Sequence, residues 1–403
     1  MTNFVDTNFS REVEFLKAVV RVPSDNPPGD CARHAEESAR LLEGLGFKVE
    51  RHAVPADFVK KHGMVSATNV IVRETFGSGK GPTIVLNAHG DVVPPGEGWT
   101  VDPYGGIEKG GAIYGRGAAV SKSDFATFAF ALLALKDNPA GLDGRVELQL
   151  TYDEEIGGFT GPNWLLDQKL TKPDYVICAG FSYAVVTAHN GVVHLEVTVK
   201  GKQAHAAMPE SGSDALEAAN AILSALYAER KRLGRVKSKV PGLGSAKLTV
   251  GQIKGGFATN VVPDRVTLRL DRRLIPEEKG PAVEKKLIAL IRKAGKRKGI
   301  TVDVKRIILA DPLRPTKGVD RLVEALARHA RRELKTKIEV KGVPLYTDAR
   351  HYSARGIPTV LYGAGPRSIL EANAHSANEH VRLSDLKAAT KIVEAALRDL
   401  LKA

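Results

Sequence analysis

A histidine and an aspartate that stand two residues apart form the first candidate site. His89 and Asp91 follow the apolar residues 84–88, which have the pattern of a buried strand. In an extended chain these two side chains share a face, so the Asp91 carboxylate can accept a hydrogen bond from the ring nitrogen of His89 that does not bind metal. Such a bond fixes the histidine tautomer, but the spacing alone is a weak indication of a metal site.

An acidic run forms the second candidate site. Asp153, Glu154 and Glu155 follow the strand-like residues 146–151 and lead into a glycine-rich turn. Charge runs are usually solvated, yet unpaired carboxylates beside a buried strand are costly to desolvate, which favours a bound cation. One glutamate could bind this metal while its neighbour accepts a proton from water.

The third candidate is His375, which lies in the polar residues 374–379 before the last predicted helix. Taken alone, it is typical of a surface histidine near a helix cap. All three segments, however, fall at the ends of α/β-type strands or loops of one inferred domain. Their joint occurrence predicts a site where a divalent metal activates water.

The elements that position these residues follow from the apolar periodicity. In the first half, helices are predicted over residues 12–19, 32–44, 124–135 and 162–167, and strands over residues 47–53, 83–88, 146–151 and 175–178. This alternation predicts a layered α/β sheet, in which ligand sites gather at the strand ends.

A different pattern begins near Asn190. Strands are predicted over residues 193–199, 246–253, 265–269 and 301–307, and helices over residues 214–232 and 283–297. This βαββαβ order predicts a ferredoxin-like α+β unit, with helices on one face of a four-stranded antiparallel sheet. A helix over 318–334, a strand over 358–362 and a helix over 383–401 then return to the first domain. We therefore predict a catalytic domain over residues 1–189 and 311–403, and an inserted domain over residues 190–310.

Composition narrows the function classes. A length of 403 residues predicts two domains, and an apolar fraction of 43% with a charged fraction of 26% is typical of a folded protein. Cys31 and Cys178 have no partner pattern, and we find neither a targeting signal in residues 1–10 nor a membrane-spanning apolar run, so we expect a cytoplasmic protein without membrane contact. The net charge of +13 is dispersed, which favours a basic solvated surface that attracts anionic substrates over nucleic-acid binding.

Over nearly its whole length the chain resembles the acetylornithine deacetylase, succinyl-diaminopimelate desuccinylase and aminoacylase family of metallohydrolases. The resemblance is carried by His89-Gly-Asp91, Asp153-Glu-Glu155-Ile-Gly-Gly, Gly201-Lys-Gln-Ala-His205, Gly255-Gly-Phe-Ala-Thr-Asn-Val-Val-Pro263, Asp271-Arg-Arg273, and Gly356-Ile-Pro-Thr-Val360 followed by Gly363-Ala-Gly365. It implies a zinc-exopeptidase-like catalytic domain with a mixed central sheet flanked by helices, and an inserted domain that serves as lid and dimerises.

The resemblance also assigns roles around the metal. In relatives the residue matching His89 binds one zinc, and those matching Glu155 and His375 bind the other. Asp91 would orient its neighbouring histidine, and Glu154 would be the general base.

Further roles concern the substrate. By resemblance, His205 would come from the inserted domain, usually of a partner subunit, and stabilise the developing oxyanion. Asn260 and Arg273 match positions that hold the substrate's carboxylate, for which a guanidinium group is well suited. The turn from Gly363 to Gly365 would add backbone N–H groups.

The chain departs from the family at two metal ligands. The bridging aspartate is replaced by Val120 in Gly115-Arg-Gly-Ala-Ala-Val120-Ser-Lys-Ser-Asp124, and a glutamate ligand is missing from Cys178-Ala-Gly-Phe-Ser182. The remaining ligands, His89, Glu155 and His375, form the two-histidine, one-carboxylate set of a mononuclear site. We therefore expect one weakly bound divalent ion, which could be Zn, Mn or Co.

Other ligands and other functions stay open. Asp124 could replace the missing ligand, although an aspartate at such a position more often faces solvent, and His189, Cys178 and Ser182 are weaker candidates. The leading hypothesis is an amidohydrolase for a small carboxylate-bearing substrate. The alternatives are an aminohydrolase that acts on an activated aromatic amine, as on 5-nitroanthranilate, and a ligand-binding pseudoenzyme. The inserted domain predicts a homodimer or a higher homo-oligomer.

Overall fold

The computed structural model describes residues 3–368 and 370–403. Its helices are α1 Phe4–Val20, α2 Ala32–Gly44, α3 Ala56–Lys61, α4 Lys122–Asp137, α5 Pro162–Asp167, α6 Ala215–Leu233, α7 Gly280–Ala294, α8 Val319–Leu334, α9 Ala349–Ser353 and α10 Leu383–Leu400. Its strands are β1 Val49–Ala53, β2 Thr68–Phe76, β3 Thr83–His89, β4 Ile107–Lys109, β5 Ala112–Tyr114, β6 Gly144–Thr151, β7 Tyr175–Cys178, β8 Ala184–His189, β9 Gly191–Lys200, β10 Lys247–Gly255, β11 Arg265–Leu274, β12 Thr301–Ala310, β13 Glu339–Val343, β14 Thr359–Leu361 and β15 His380–Arg382. In the described part of the chain, no helix is both long and apolar enough to cross a membrane.

The chain divides into two compact units. The first comprises residues up to Thr187, Pro315–Lys341 and Thr347–Ala403, and the second comprises Ala188–Arg314 and Gly342–Tyr346. The second unit is larger than the predicted insertion, because residues 188–189, 311–314 and 342–346 also belong to it. Hydrogen bonds explain this correction: the backbone N–H of Leu313 lies 3.3 Å from the His189 ring, and that of Gly342 donates to the Pro241 carbonyl at 2.8 Å.

The first unit is built on a mixed sheet with the strand order β1-β2-β6-β3-β7-β14-β8-β13. Its central strands β6, β3, β7 and β14 are parallel, whereas β1 and β2 are antiparallel to their neighbours. Helix α4 is buried along most of its length and packs against α1 and α10, because phenylalanine, leucine and alanine cover most of its surface. The predicted α/β fold with a mixed, helix-flanked central sheet is confirmed.

The second unit has a four-stranded sheet with the order β10-β11-β9-β12, in which every neighbouring pair is antiparallel. Alternate residues of β9, from Val193 to Val199, are buried against α6 and α7. The other face of the sheet carries polar and charged side chains. This is the βαββαβ arrangement that the sequence predicts.

Candidate metal centre

The carboxyl end of β3 places His89 beside the acidic run. Strands β3 and β6 pair in parallel with His89 opposite Thr151, so the residues that follow β6 emerge at the same edge of the sheet. The Nδ1 atom of His89 lies 2.9 Å from the Asp91 backbone oxygen and 3.5 Å from its Oδ1, and Nε2 lies 3.8 Å from Glu154 Oε2. Asp91 therefore accepts a hydrogen bond from the Nδ1–H group of His89, which leaves Nε2 to bind a metal.

Asp91 is fully buried and organises the two glutamates. Its carboxylate accepts hydrogen bonds from the backbone N–H groups of Glu154 at 3.3 Å and Glu155 at 3.2 Å, and from the Asn26 side chain at 2.9 Å. Burial raises the pKa of Asp91, but the hydrogen bond and charge of His89, together with Asn26, outweigh it and lower the pKa below its usual value. Asp91 is thus held as a carboxylate.

The three acids of the run have different environments. Asp153 adopts a left-handed backbone conformation with φ of 89°, and its buried carboxylate accepts the N–H groups of Thr160 at 2.6 Å and Gly161 at 3.0 Å. The side chains of Glu154 and Glu155 retain 12% and 8% exposure. Asp153 therefore stabilises the loop that follows β6, whereas Glu154 and Glu155 face the candidate metal site.

The two glutamates and two histidines can accommodate one ion. Within the described residues, ligand atoms of His89, Glu154 and Glu155 all lie within 4.8 Å of one another. His375 Nε2 lies 3.3 Å from Glu155 Oε1 on the other side. Burial and the charge of Glu155 raise the pKa of Glu154 well above its usual value, against the opposing charge of His89. Carboxylates crowded in this way, with imidazole nitrogens beside them, fit a divalent transition metal.

Val120 leaves the place of the bridging carboxylate apolar. The backbone N–H groups of Ala119 and Val120 each donate to Glu379 Oε1 at 3.1 Å, and the other oxygen of Glu379 receives Arg116 at 2.6 Å. The carboxylate of the buried Glu379 is therefore engaged by this turn and by Arg116.

Asp124 is buried, which corrects the expectation that it faces solvent, whereas its role as a substitute ligand stays a prediction. It is 2% exposed, and its oxygens accept the backbone N–H groups of Gly180 at 3.0 Å and Ala364 at 2.5 Å. Burial raises the pKa of Asp124 to about 8. The weaker candidates are also engaged, since Ser182 donates to the Gly363 carbonyl at 2.7 Å and His189 contacts the backbone at Asn190.

Two N–H groups of the turn from Gly363 to Gly365 are engaged within the fold. The N–H of Gly365 already donates to the Gly180 carbonyl at 2.9 Å, and that of Ala364 is bound by Asp124. A Cβ atom on Gly363 would lie 1.9 Å from Asp124 Oδ1, so this glycine is required by packing. The Gly365 N–H is therefore engaged within the fold, and a substrate contact through Gly363 or Gly365 stays a prediction.

One predicted catalytic residue, His205, and two predicted substrate-binding residues, Asn260 and Arg273, lie in the second unit. His205 is exposed, and its Nδ1 accepts the N–H of Ala207 at 3.0 Å, which leaves the proton of the neutral ring on Nε2. Asn260 lies on the adjacent segment, since its carbonyl accepts the N–H of Ala206 at 3.0 Å. Arg273 contacts Asp271 through Nε, 3.0 and 3.1 Å from its two oxygens.

A second set of supports was missed by the sequence reasoning. Arg350 and His351 both donate to the Gly157 carbonyl, and the buried Asp348 approaches Gly158 so closely that a Cβ there would lie 1.9 Å from its Oδ1. Burial raises the pKa of Asp348 to about 7, with His89 opposing the shift. The only signal in the sequence was this cluster of charged residues before a buried strand.

Known proteins share this architecture. The model of peptidase family M20/M25/M40 matches residues 85–399. The chain is 30% identical to succinyl-diaminopimelate desuccinylase of Acidiphilium cryptum over 67% of this chain and 69% of the relative, and 29% identical to acetylornithine deacetylase of Myxococcus xanthus over 86% of each. The solved M20 family metallo-carboxypeptidase Sso-CP2 of Sulfolobus solfataricus is similar with a TM-score of 0.75 and 20% identity, covering 100% of this chain and 99% of that one. The chain therefore belongs to the M20/M25/M40 peptidase family and is a metallohydrolase that acts on carbon–nitrogen bonds.

Proposed function

We propose that the protein hydrolyses an amide bond in a small substrate that bears a carboxylate, using one divalent ion held by His89, Glu155 and His375. The observation that carries this proposal is the cluster of His89, Glu154 and Glu155, whose ligand atoms lie within 4.8 Å of one another. It combines two ligands with a glutamate that stands close enough to serve as base.

The chemistry divides among these residues. When bound, the metal would act as a Lewis acid and lower the pKa of water. Glu154 takes the proton from this water and delivers it to the leaving nitrogen, while Asp91 holds the backbone of both glutamates in place. His205 donates from Nε2 to the developing oxyanion, and Asn260 with Arg273 holds the carboxylate.

A single ion is favoured by the contacts of the acids that lie nearest the two altered ligand positions. Three acids near the altered ligand positions already accept hydrogen bonds within the protein. Glu379 accepts from Arg116, whereas Asp124 and Asp153 each accept from two backbone N–H groups. Without a bridging carboxylate, two neighbouring cations would repel each other with little screening.

The test combines a substrate panel with a base variant. N-acyl amino acids, dipeptides and aryl amines are assayed with added Mn, Co and Zn, and metal content is measured in parallel. In Glu154→Gln we expect kcat to fall by about 10² to 10⁴-fold with metal content unchanged. The matched control is Glu210→Gln at an exposed position, which should keep full activity.

Each outcome of this panel separates the proposals. Undiminished metal-dependent turnover in Glu154→Gln would exclude this residue as the base. Turnover confined to aryl amines would instead establish the aminohydrolase, and ligand binding without any turnover would establish a binding protein.

We further propose that the protein works as a cytoplasmic homodimer, or a higher homo-oligomer, associated through the second unit.

A further inference from the structure

The exposed face of the second unit's sheet carries a row of cross-strand charge pairs. Residues directly opposite each other on neighbouring antiparallel strands point to the same face. Glu196 on β9 is opposite Arg269 on β11, with Oε2 and Nη2 2.7 Å apart, and His194 is opposite Asp271, with Nε2 and Oδ2 3.0 Å apart. These pairs bring opposite charges, or a histidine and an acid, together.

The next position breaks this pattern. Arg273 is opposite Val192 on β9 and opposite Lys247 on β10, so two cations are direct neighbours on one face. Like charges in this arrangement are destabilising unless an anion lies beside them, and here Asp271 pairs with Arg273 but not with Lys247. Lys247 is exposed, and in the described part of the chain it forms no ion pair. The two neighbouring positive charges of Lys247 and Arg273 are therefore suited to binding an anion.

Asp271 fixes the orientation of Arg273. Its two oxygens lie 3.0 and 3.1 Å from Arg273 Nε, and the same carboxylate also contacts His194. Within residues 3–368 and 370–403, the two terminal nitrogens of Arg273 make no hydrogen bond. These nitrogens, together with the Lys247 ammonium, are suited to a planar carboxylate.

The neighbouring arginine, Arg272, lies on the other face of the sheet and has a different environment from Arg273. Arg272 points to the opposite side of β11, where it is 3% exposed and its Nη2 lies 2.5 Å from Glu278 Oε1. Its charge is thus neutralised within the unit. Arg273 also pairs with an acid, Asp271, but only through Nε, so its two terminal nitrogens remain for a ligand.

We propose that Lys247 and Arg273 together bind the carboxylate of the substrate, and that Asp271 is a positioning residue that fixes Arg273. The proposal rests on the proposed hydrolysis of a carboxylate-bearing substrate and deepens it by adding a second cation and the group that orients the first. It makes the ligand class an anion with a planar, two-oxygen head, recognised by one guanidinium and one ammonium group.

The chain offers a matched control for each variant. Lys254 lies on the same strand and the same face as Lys247 but is opposite Thr267, so Lys254→Met removes an equal charge outside the proposed site. Glu196→Gln breaks an acid–arginine contact on the same two strands as Asp271→Asn. Both controls are compared with Lys247→Met and Asp271→Asn in the full chain.

Two measurements test the proposal. Hydrolysis of an N-acetyl amino acid is compared with that of its uncharged carboxamide, and binding of succinate, which is not cleaved, is measured by calorimetry. In Lys247→Met and Asp271→Asn we expect KM for the carboxylate substrate and Kd for succinate to rise about tenfold, with kcat little changed. The carboxamide and both control variants should show no change, and Asp271→Glu should restore part of the loss.

The outcomes separate this inference from the proposed function. Equal weakening by Lys254→Met and Lys247→Met, equal effects on carboxylate and carboxamide, or no succinate binding by the unsubstituted protein would each overturn the site. If no amide is hydrolysed but succinate binding still falls in Lys247→Met, the proposed function fails and the anion site stands.

Discussion

Val120 places an apolar side chain where the resemblance implies a carboxylate that bridges two metals. The backbone at this position is fixed by Glu379, which accepts the N–H groups of Ala119 and Val120. A different side chain at position 120 would therefore be attached to a backbone that these hydrogen bonds already fix. Val120 is thus one of the two departures on which the proposal of a single ion rests, and its replacement can be tested directly.

We expect Val120→Asp to raise the metal content from about one to about two zinc ions per chain, because the new carboxylate screens the repulsion between neighbouring cations. Val120→Asn is the matched control, since it has nearly the same size and no charge, and it should leave the content at about one. Calorimetric titration and metal analysis after dialysis measure this. Two ions bound to the unsubstituted protein would contradict the mononuclear proposal.

The residues that could be identified from the sequence are those whose chemistry lies in short motifs. His89, Glu154 and Glu155 are brought together as predicted, and His375 lies beside Glu155. Asp124 was misjudged because its partners, Gly180 and Ala364, are distant in the sequence. Asn26 and Asp91 are also distant in the sequence, so no local pattern predicts the hydrogen bond between them.

At the element scale, the loop after β6 depends on the segment at the start of α9. Arg350 and His351 hold the Gly157 carbonyl, and Asp348 lies against Gly158, which has a positive φ of 68°. The two glutamates of the site immediately precede these glycines. Their positions therefore depend on a close approach that only glycine allows.

We expect Gly158→Ala to reduce the free energy of unfolding by about 1 to 3 kcal/mol more than the control, and to weaken metal binding, because its Cβ would lie 1.9 Å from Asp348 Oδ1. The control is Gly356→Ala, which has a similar φ of 77° but no atom within 4 Å of the new Cβ. Urea unfolding and metal titration measure both variants. Equal losses in the two would show that backbone strain, rather than the contact with Asp348, is responsible.

Most elements with a clear apolar period were predictable, although the fully buried β8 was not, and neither was a strand stabilised by charge. Strand β2 lies between β1 and β6, yet it was not predicted. It includes Arg73, which interrupts the apolar pattern and whose guanidinium contacts Glu50 on β1 and Glu147 on β6. Such cross-strand ion pairs become visible only when the neighbouring strands are known.

At the scale of the whole molecule, the two units carry different parts of the proposed chemistry. The metal ligands and Glu154 lie in the first unit, whereas His205, Asn260 and Arg273 lie in the second. The resemblance implies that His205 acts on the site of a partner subunit. The proposed active site would then require two copies of the chain.

Mixing two inactive variants tests this requirement. Glu154→Gln lacks the base in the first unit, and His205→Ala lacks the oxyanion donor in the second. If His205 acts in the partner's site, a mixed dimer contains one site with Glu154 and His205 both intact. Random exchange of subunits at equal concentrations should then restore about a quarter of the unsubstituted activity, because half of the dimers are mixed and each has one complete site.

The alternative arrangement gives a different result. If His205 serves the site of its own chain, every site in a mixed dimer lacks one of the two groups, and the mixture should stay as inactive as its components. The control mixes Glu154→Gln with His89→Ala, two variants of the first unit, which cannot complement each other in either arrangement. Energy transfer between subunits that carry two different fluorophores measures subunit exchange, so that an inactive mixture of exchanging dimers would exclude action of His205 on the partner's site.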